Sequence, residues 1–143
     1  MYIKTHNGAP VKFPYYLGEL TRENPGTSFP KEMPASLLAS FGVYEVTPTE
    51  APPFDSLTHK LSQSVAQVNG AWLQTWEVHQ LDFADAANNV RAQRNRLLSE
   101  SDWTQLTDAP VDAASWASYR QDLRDITAQA GFPWDVKWPL EPQ

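Results

Sequence analysis

The dipeptide Asn69-Gly70 constrains the fold more than any other feature of this sequence. It lies in KLSQSVAQVNGAWLQTWEVHQL, between two runs of strand length. Asn-Gly favours the two positive φ angles of a type I′ turn, which joins neighbouring antiparallel strands. Pairing Val68 with Ala71 places Trp72 and Trp76 on one face of the second strand. Because an isolated two-stranded hairpin is marginal in water, this one is expected to join further strands or to dock on another surface.

The remainder of the first 80 residues is expected to consist of short elements separated by turns. Eight of the twelve prolines lie there, and proline interrupts helices and the interior of sheets. A second Asn-Gly pair, Asn7-Gly8, predicts another tight hairpin. Pro25-Gly26 and Gly42 are residues that end helices. The elements predicted on this basis are a hairpin of residues 2–5 and 11–13, helices over residues 17–24 and 33–42, and a strand over residues 43–46.

Beyond residue 80 the apolar residues change to a helical spacing. One helix is predicted from an apolar face that extends from Phe83 to Leu98 and that Arg94 alone interrupts. A second is predicted to begin after Asp112, a residue type that caps helix N-termini, and to end before Gly131 and Pro133. Its apolar stripe consists of Trp116, Tyr119, Leu123 and Ile126. The tail after residue 131 is rich in aromatic residues and proline, and it is expected to fold back over the two helices.

These patterns together predict an α+β protein of two domains. Residues 1–80 are expected to form a small β-rich domain that contains the hairpin at Asn69-Gly70. Residues 81–143 are expected to form a helical hairpin of two helices with an aromatic and proline-containing tail. A chain of 143 residues, 41% hydrophobic and 20% charged, is long enough and apolar enough for two small folded domains.

The charge and composition exclude several classes of function. The net charge of −6 gives the chain no long-range attraction for a phosphate backbone, so nucleic acid is not an expected partner. The sequence has no cysteine, which excludes disulfides and thiolate metal sites. No stretch approaches the roughly 18 apolar residues of a membrane-spanning helix, and the N-terminus lacks the apolar core of a signal peptide. The protein is therefore expected to act where it is made, or to leave as part of a larger particle.

No constellation of residues predicts catalysis, a metal or a cofactor. His6, His59 and His79 do not have the spacing of metal ligands. There is no G-x-S-x-G motif and no glycine-rich phosphate loop. Paired carboxylates such as Asp122 and Asp125 are expected on solvated helix faces. The sequence thus predicts a protein that is not an enzyme.

The arginines of NVRAQRNRLLSESDWTQLTDAP have two open interpretations. Arg91 and Arg94 are three residues apart and can lie side by side on the first predicted helix. They can brace that helix by bridging to Asp122 or Asp125 while their alkyl stems cover apolar surface. Alternatively, their guanidinium groups can grip carboxylates or carbonyls of a partner protein.

A longer ordered pattern runs through this half of the chain. It comprises an arginine-rich helix ending in R-x-x-LL, then SDWTQ, a D-A-P loop, W-x-x-YR-x-x-LR and a closing G-F-P-W…W-P. In this respect the segment Arg91–Pro139 resembles the C-terminal module of phage tail assembly chaperones. Thr107 stands where that pattern has proline. The first half, through FPYYLGELTRENPGTSFP, LLASFGVYEVTPT and VNGAWLQTWEV, resembles an N-terminal segment of similar phage tail proteins.

The resemblance implies a non-enzymatic protein that binds tail-fibre subunits and assists their folding or attachment. Its partner would be a phage tail-fibre or other tail protein, and it would act in the host cytoplasm during assembly. The alternative is a permanent component of the virion tail, in the baseplate, the fibre network or a receptor-contacting fibre tip, where it would form an oligomer within the tail. The residues predicted to contact the partner, each with core packing as its alternative role, are Trp72, Trp76, Arg91, Arg94, Trp103, Trp134 and Trp138.

Overall fold

The computed structural model describes all 143 residues, which form two compact units. The first, called here the sheet unit, contains residues 1–53 and 61–77. The second, called the helical unit, contains residues 54–60 and 78–143. The short segment 54–60 therefore belongs to the helical unit, although residues of the sheet unit precede and follow it in the sequence. The architecture is α+β, as the sequence predicts.

A five-stranded sheet is the main element of the first half of the chain. Its strands follow the spatial order β2-β1-β3-β5-β4, with β1 antiparallel to both β2 and β3, and β3 parallel to β5. In β3 and β5, Val46 lies opposite Trp72 and Thr47 opposite Leu73. The strands are β1 (Tyr2–His6), β2 (Ala9–Tyr15), β3 (Val43–Thr47), β4 (His59–Val68) and β5 (Ala71–Gln80).

Both Asn-Gly pairs form the turns that the sequence predicts. Asn7 and Gly8 have φ angles of 51° and 79°, and Asn69 and Gly70 have φ angles of 50° and 82°. Two successive positive φ angles are the signature of the type I′ turn, whose twist matches that of the strands it joins. The first turn connects β1 to β2 and the second connects β4 to β5. Because the second turn has only two residues, β4 and β5 run antiparallel.

Helices α1 (Leu17–Glu23) and α2 (Ala35–Ser40) complete the sheet unit, close to their predicted positions. Successive residues of a strand point to opposite faces, and the apolar residues of β1 and β3 supply both faces of the sheet. Gly42, after α2, has a φ of 69°, and a Cβ there would lie 2.5 Å from the carbonyl oxygen of Thr5. One buried cluster consists of Tyr15, Leu20, Leu38 and Val43. The other consists of Ile3, Val46 and Trp72, with the half-buried Phe13 and Val65 packed against it.

The helical unit is built on α3 (Phe83–Glu100) and α4 (Ala113–Asp125), which contact each other. A 3₁₀ helix, Asp102–Gln105, lies in the connection, and another, Ile126–Ala128, follows α4. Asp112 caps α4 by accepting a hydrogen bond from the Ala114 amide, which confirms the predicted start of this helix. The end differs from the prediction, because α4 stops at Asp125 and tightens into 3₁₀ geometry, as helix termini often do.

The core of the helical unit follows the predicted apolar stripe of α4. The residues Trp116, Tyr119 and Leu123 form a buried cluster, and Ile126 is also buried. Helix α3 contributes the small buried residues Ala86, Ala87 and Val90. Side chains packed against the α4 cluster are Leu97, Leu98, Val111 and Trp138.

Candidate partner-binding corner

The chain changes direction between α3 and α4 through residues 101–106, called here the corner. Ser101 ends α3, and its hydroxyl oxygen lies 2.8 Å from the Leu97 carbonyl oxygen and 3.1 Å from that of Leu98. The fully buried Thr104 donates its hydroxyl to the Ser101 carbonyl at 2.6 Å. These bonds add side-chain donors to the carbonyl groups at the end of α3, where the helical ladder runs out. Local side chains therefore fix the conformation of the corner.

Arg120 of α4 holds the corner from the opposite side. Its Nη1 donates to the Leu98 carbonyl at 2.6 Å and to the Ser101 hydroxyl at 2.7 Å. Its Nη2 donates to Asp102 Oδ1 at 2.7 Å, forming an ion pair. Arg120 is only 6% exposed. We call this set of contacts the arginine clasp, and it joins α4 both to the last turn of α3 and to the corner.

One donor of the clasp has no partner. The buried Nε of Arg120 makes no hydrogen bond. A buried unsatisfied donor costs on the order of 1–3 kcal/mol. The charge-assisted bonds to Leu98, Ser101 and Asp102 oppose this cost, since such bonds are stronger than those between neutral groups. Burying a cation at this position therefore depends on the corner keeping its conformation.

Aromatic rings continue from the core to the surface of the corner. Tyr119 and Trp116 meet edge to face with ring centroids 5.7 Å apart, and Trp103 lies 6.1 Å from Trp116. Trp116 is buried, whereas Trp103 is 48% exposed and Leu106 is 62% exposed. One side of Trp103 thus packs on the core of the helical unit, and the other faces solvent beside an exposed leucine.

The two tryptophans predicted as partner contacts in the sheet unit lie in different environments. Trp72 is 8% exposed and belongs to the cluster with Ile3 and Val46. Trp76 is half-buried and donates its indole N–H to the Thr49 carbonyl at 3.2 Å. Between them on β5, Gln74 is buried and bonds to the Gln63 side chain. Most of the Trp72 surface is therefore occupied by core packing.

The two tryptophans of the C-terminal tail are half-buried within the helical unit. Trp134 donates its indole N–H to the Leu81 carbonyl at 3.0 Å and packs edge to face with Phe83. Trp138 packs against the cluster of α4. Together with Asp122, Asp125 and Lys137, Trp138 also lines an open cleft of about 310 Å³.

The predicted bridges from the α3 arginines to α4 are wrong. Arg91 lies over the Phe132 ring, 5.3 Å from its centroid, and Arg94 donates to the side chain of its neighbour Asn95. Neither forms an ion pair with Asp122 or Asp125. The arginine that bridges the two helices is Arg120, which lies on α4 rather than on α3. Exposed ion pairs add little stability, so a fit between surface charges is a weak predictor of contact.

The pKa values of two carboxyl groups are lowered by capping bonds. Hydrogen bonds from the Ser115 side chain and the Ala114 amide lower the pKa of Asp112. Hydrogen bonds from Asp85, chiefly from its amide, lower the pKa of Asp82, the N-cap of α3. In the core, burial raises the pKa of the Tyr119 phenol, with Glu141 and Glu100 adding to the shift. None of these groups belongs to a set of three or more residues suited to hold a metal ion.

A comparison with known protein families gives a match to the second part of the chain. Residues 87–143 match the family model of the phage tail assembly chaperone protein. The matched residues, called here the module, include the corner, the arginine clasp and the aromatic tail, while residues 1–86 lie outside the match. Neither a curated protein nor a solved structure matches this chain.

This match confirms the resemblance inferred from SDWTQ and the residues around it. The match supports a role in phage tail assembly and implies tail proteins as partners. No helix combines the length and the apolarity needed to cross a membrane.

Sequence reasoning missed the structural role of Arg120. The residue appears in the motif W-x-x-YR-x-x-LR, but its contacts lie 18 to 22 residues earlier in the chain. A signal was present in its spacing, since Arg120 directly follows the apolar Tyr119 and adjoins the buried stripe. A basic side chain beside a buried stripe can donate hydrogen bonds to the free carbonyl groups at the C-terminus of another helix.

Proposed function

We propose that this protein binds a tail-fibre subunit and assists its folding or attachment, without catalysis. The observation that carries the proposal is the chaperone module itself, which includes an exposed aromatic residue on a corner fixed by buried hydrogen bonds. In this proposal residues 81–143 work as a helical hairpin in the host cytoplasm during assembly, and the tail-fibre subunit contacts the corner.

The geometry of the corner suits protein recognition. Trp103 and Leu106 offer adjacent exposed apolar surface. Tryptophan is enriched among the residues that contribute most to protein–protein binding. The arginine clasp and the buried Thr104 hold the backbone beneath these side chains. Because the corner is ordered before contact, binding requires less loss of conformational entropy than binding through a flexible loop.

The proposed partner has exposed apolar surface that the corner can cover. Subunits of β-rich fibres expose apolar surface and unpaired strand edges before they assemble, and such surfaces aggregate. A small acidic protein with a local apolar contact can cover one of these surfaces and remain soluble itself, because its net charge of −6 disfavours self-aggregation. Release follows when contacts between fibre subunits replace those with the corner.

Co-expression with the tail-fibre protein of the same phage tests the proposal. The measured quantity is the amount of soluble fibre trimer with the wild-type chain, without it, and with a double variant, Trp103→Ala with Leu106→Ser. A matched control is Leu140→Ser, which removes a 92% exposed leucine of the same unit outside the corner. We expect the wild type and the control to raise the trimer yield and the double variant to lose most of this effect.

Two results of that experiment contradict different parts of the proposal. An unchanged trimer yield in the presence of the wild-type chain rejects a chaperone role for this fibre. A double variant as effective as the wild type keeps the role but removes the corner as its site.

The alternative function is a permanent part of the tail. It is favoured by the five-stranded sheet, which lies outside the residues that match the chaperone module. Mass spectrometry of purified virions distinguishes the two functions. A permanent component is present in fixed proportion to the other tail proteins, whereas a transient chaperone is absent or strongly depleted.

A further inference from the structure

The two edges of the sheet differ in their capacity to accept another strand. One edge is β2, which contains Pro10 and Pro14 and pairs irregularly with β1. Proline has no N–H to donate, and natural proteins use it to block edge pairing. The other edge is β4, a strand of ten residues without proline. Only the β4 edge lacks proline along its whole length.

The outward-facing backbone groups of β4 follow from the turn and from one hydrogen bond. In a two-residue type I′ hairpin the flanking residues, Val68 and Ala71, form a hydrogen-bonded pair. Hydrogen-bonded pairs then recur at every second residue, so the even-numbered residues of β4 bond to β5. The Gln74 carbonyl accepts a hydrogen bond from the Thr49 hydroxyl at 2.8 Å. The backbone N–H and C=O groups of the even-numbered residues of β5 therefore point away from β4, as this register requires. The odd-numbered residues of β4 therefore turn their N–H and C=O groups outward. The His59 amide already donates to the Asp55 carbonyl at 2.8 Å, which leaves Leu61, Gln63, Val65 and Gln67 for a further strand.

We propose that a second copy of this chain pairs with β4 along this edge, in an antiparallel register centred on Ser64. In that register Leu61 pairs with Gln67 of the second copy, and Gln63 with Val65. All four of these residues in each strand are then hydrogen-bonded to the second copy. Any other two-fold register leaves at least one of the four without a partner. The result is a continuous ten-stranded sheet with closed two-fold symmetry, the commonest symmetry among oligomers.

The side chains of β4 suit a second copy of the same strand. Lys60 carries the only full charge in β4, and in this register it faces the apolar Val68 of the second copy, so no like charges are opposed. Ser62, Ser64 and Ala66 are small and permit close approach on one face. On the other face Leu61 and Val65 are only half-buried in the single chain. Pairing adds apolar neighbours from the second copy to this face and extends the core that contains Trp72.

Charge reversal at the symmetry axis gives a specific test, using the full chain. Ser64→Lys places two like charges next to each other at the axis, and Ser64→Glu does the same with the opposite sign. The mass in solution is measured by analytical ultracentrifugation up to about 100 μM, for comparison with the single-chain mass of 16.1 kDa. We expect the wild type to be dimeric and each single variant to dissociate at least about fivefold more readily. Mixing the two variants is expected to restore a dimer.

A matched control separates this effect from damage to the fold. Thr75→Lys places a lysine on the neighbouring strand and on the same face, away from the axis, and it is expected to leave the dimer intact. Far-UV circular dichroism checks that every variant keeps its strands. A monomeric wild type overturns the proposal and leaves the edge to an extended segment of another protein. Single variants that dimerise as well as the wild type also overturn it, because the contact then lies elsewhere.

Discussion

The sheet unit buries two polar side chains, Thr5 and Gln74, neither of which is charged, whereas the helical unit buries the cation of Arg120. In the sheet unit the ladders between strands satisfy the backbone, and apolar residues supply the packing. The helices of the second unit end in carbonyl groups that a ladder cannot satisfy, and the guanidinium of Arg120 satisfies one of them. The comparison shows that a helical module can use a buried polar contact to fix a corner.

The N-termini of the helices also differ between the units, because only those of the helical unit have side-chain caps. In the helical unit Asp82 and Asp112 cap α3 and α4 with their side chains. In the sheet unit the residues before α1 and α2 are Tyr16 and Pro34, and neither makes a capping side-chain bond. The short helices α1 and α2 depend on the packing of their own Leu20 and Leu38 into the buried cluster. Side-chain caps therefore stabilise the long helices of the helical unit but not the helices of the sheet unit.

The largest expected effect comes from removing the arginine clasp. Arg120→Met keeps most of the apolar stem but leaves the Leu98 carbonyl and the Ser101 hydroxyl without their donor. We expect the free energy of unfolding of the helical unit to fall by about 2–4 kcal/mol. Hydrogen exchange resolved by peptide is expected to show lost protection in α3 and α4 and unchanged protection in β1 and β3.

Arg124→Ala is the matched control for the clasp, since Arg124 lies one turn further along α4 and is exposed. Its effect is expected to stay within about 0.5 kcal/mol. If Arg120→Met lowers protection equally in the sheet unit and the helical unit, the stabilising effect of the arginine clasp is not confined to the helical unit.

A substitution in the backbone of the sheet unit gives the converse test. Gly42→Ala adds a Cβ at a positive φ, 2.5 Å from the Thr5 carbonyl oxygen. We expect a loss of about 2–4 kcal/mol, because the strain of the left-handed conformation and a steric clash add together. Gly8→Ala has the same strain without a neighbour within 4 Å, and it is expected to cost about 1–2 kcal/mol. Chemical denaturation of both variants measures the difference, and equal losses would contradict the clash.

Two indole hydrogen bonds allow the units to be compared with the same substitution. Trp134→Phe removes the bond to the Leu81 carbonyl in the helical unit, and Trp76→Phe removes the bond to the Thr49 carbonyl in the sheet unit. We expect a loss of about 1 kcal/mol for Trp134 and less for Trp76, whose bond is longer and more exposed. Denaturant titrations of the two variants measure both losses. The reverse order would contradict the expectation that the longer, more exposed bond contributes less.

The smallest effect is expected from acid. Because hydrogen bonds lower the pKa of Asp82 and of Asp112 in the folded chain, the caps stabilise α3 and α4 at pH values above the unfolded pKa of 3.8. This stabilisation is lost as the pH falls from that value through the lower folded pKa. Hydrogen exchange at pH 5 and at pH 3, corrected for intrinsic rates, is expected to show weakening at the starts of α3 and α4.

Asp112→Asn tests whether that acid response comes from the cap itself. Asparagine caps helices without titrating, so the variant is expected to lose the pH dependence at the start of α4 and keep the helix. A variant that retains the wild-type response would assign the effect to other carboxyl groups.

The features predicted correctly from the sequence depend on neighbouring residues. The turns at Asn7-Gly8 and Asn69-Gly70 follow from the preference of these residues for positive φ, and the start of α4 follows from Asp112. The apolar stripe of α4 follows from its period. In each of these cases the residues that determine the structure lie within a few positions of one another.

The features that were missed depend on contacts between distant residues. No local pattern indicates that β3 runs parallel to β5, or that Arg120 reaches Leu98. The bridge from Arg91 and Arg94 to the second helix was inferred from charge and helical spacing, which do not determine where an exposed side chain lies. The candidate site was predicted as a motif around Trp103, and only the structure shows what holds that motif in place.

The placement of residues 54–60 in the helical unit has a consequence for synthesis on the ribosome. The Leu57 carbonyl accepts a hydrogen bond from the Asn89 side chain, and the Thr58 carbonyl accepts one from the Leu81 amide. Both donors are translated after the whole sheet unit, which ends at residue 77. At about 5–20 residues per second, synthesis reaches Leu81 and then Asn89 roughly 0.2–2.4 s after residue 77. During that interval the residues of the sheet unit have all been made, while segment 54–60 still lacks its hydrogen-bond donors. The two units are therefore completed one after the other, although their residues are interleaved.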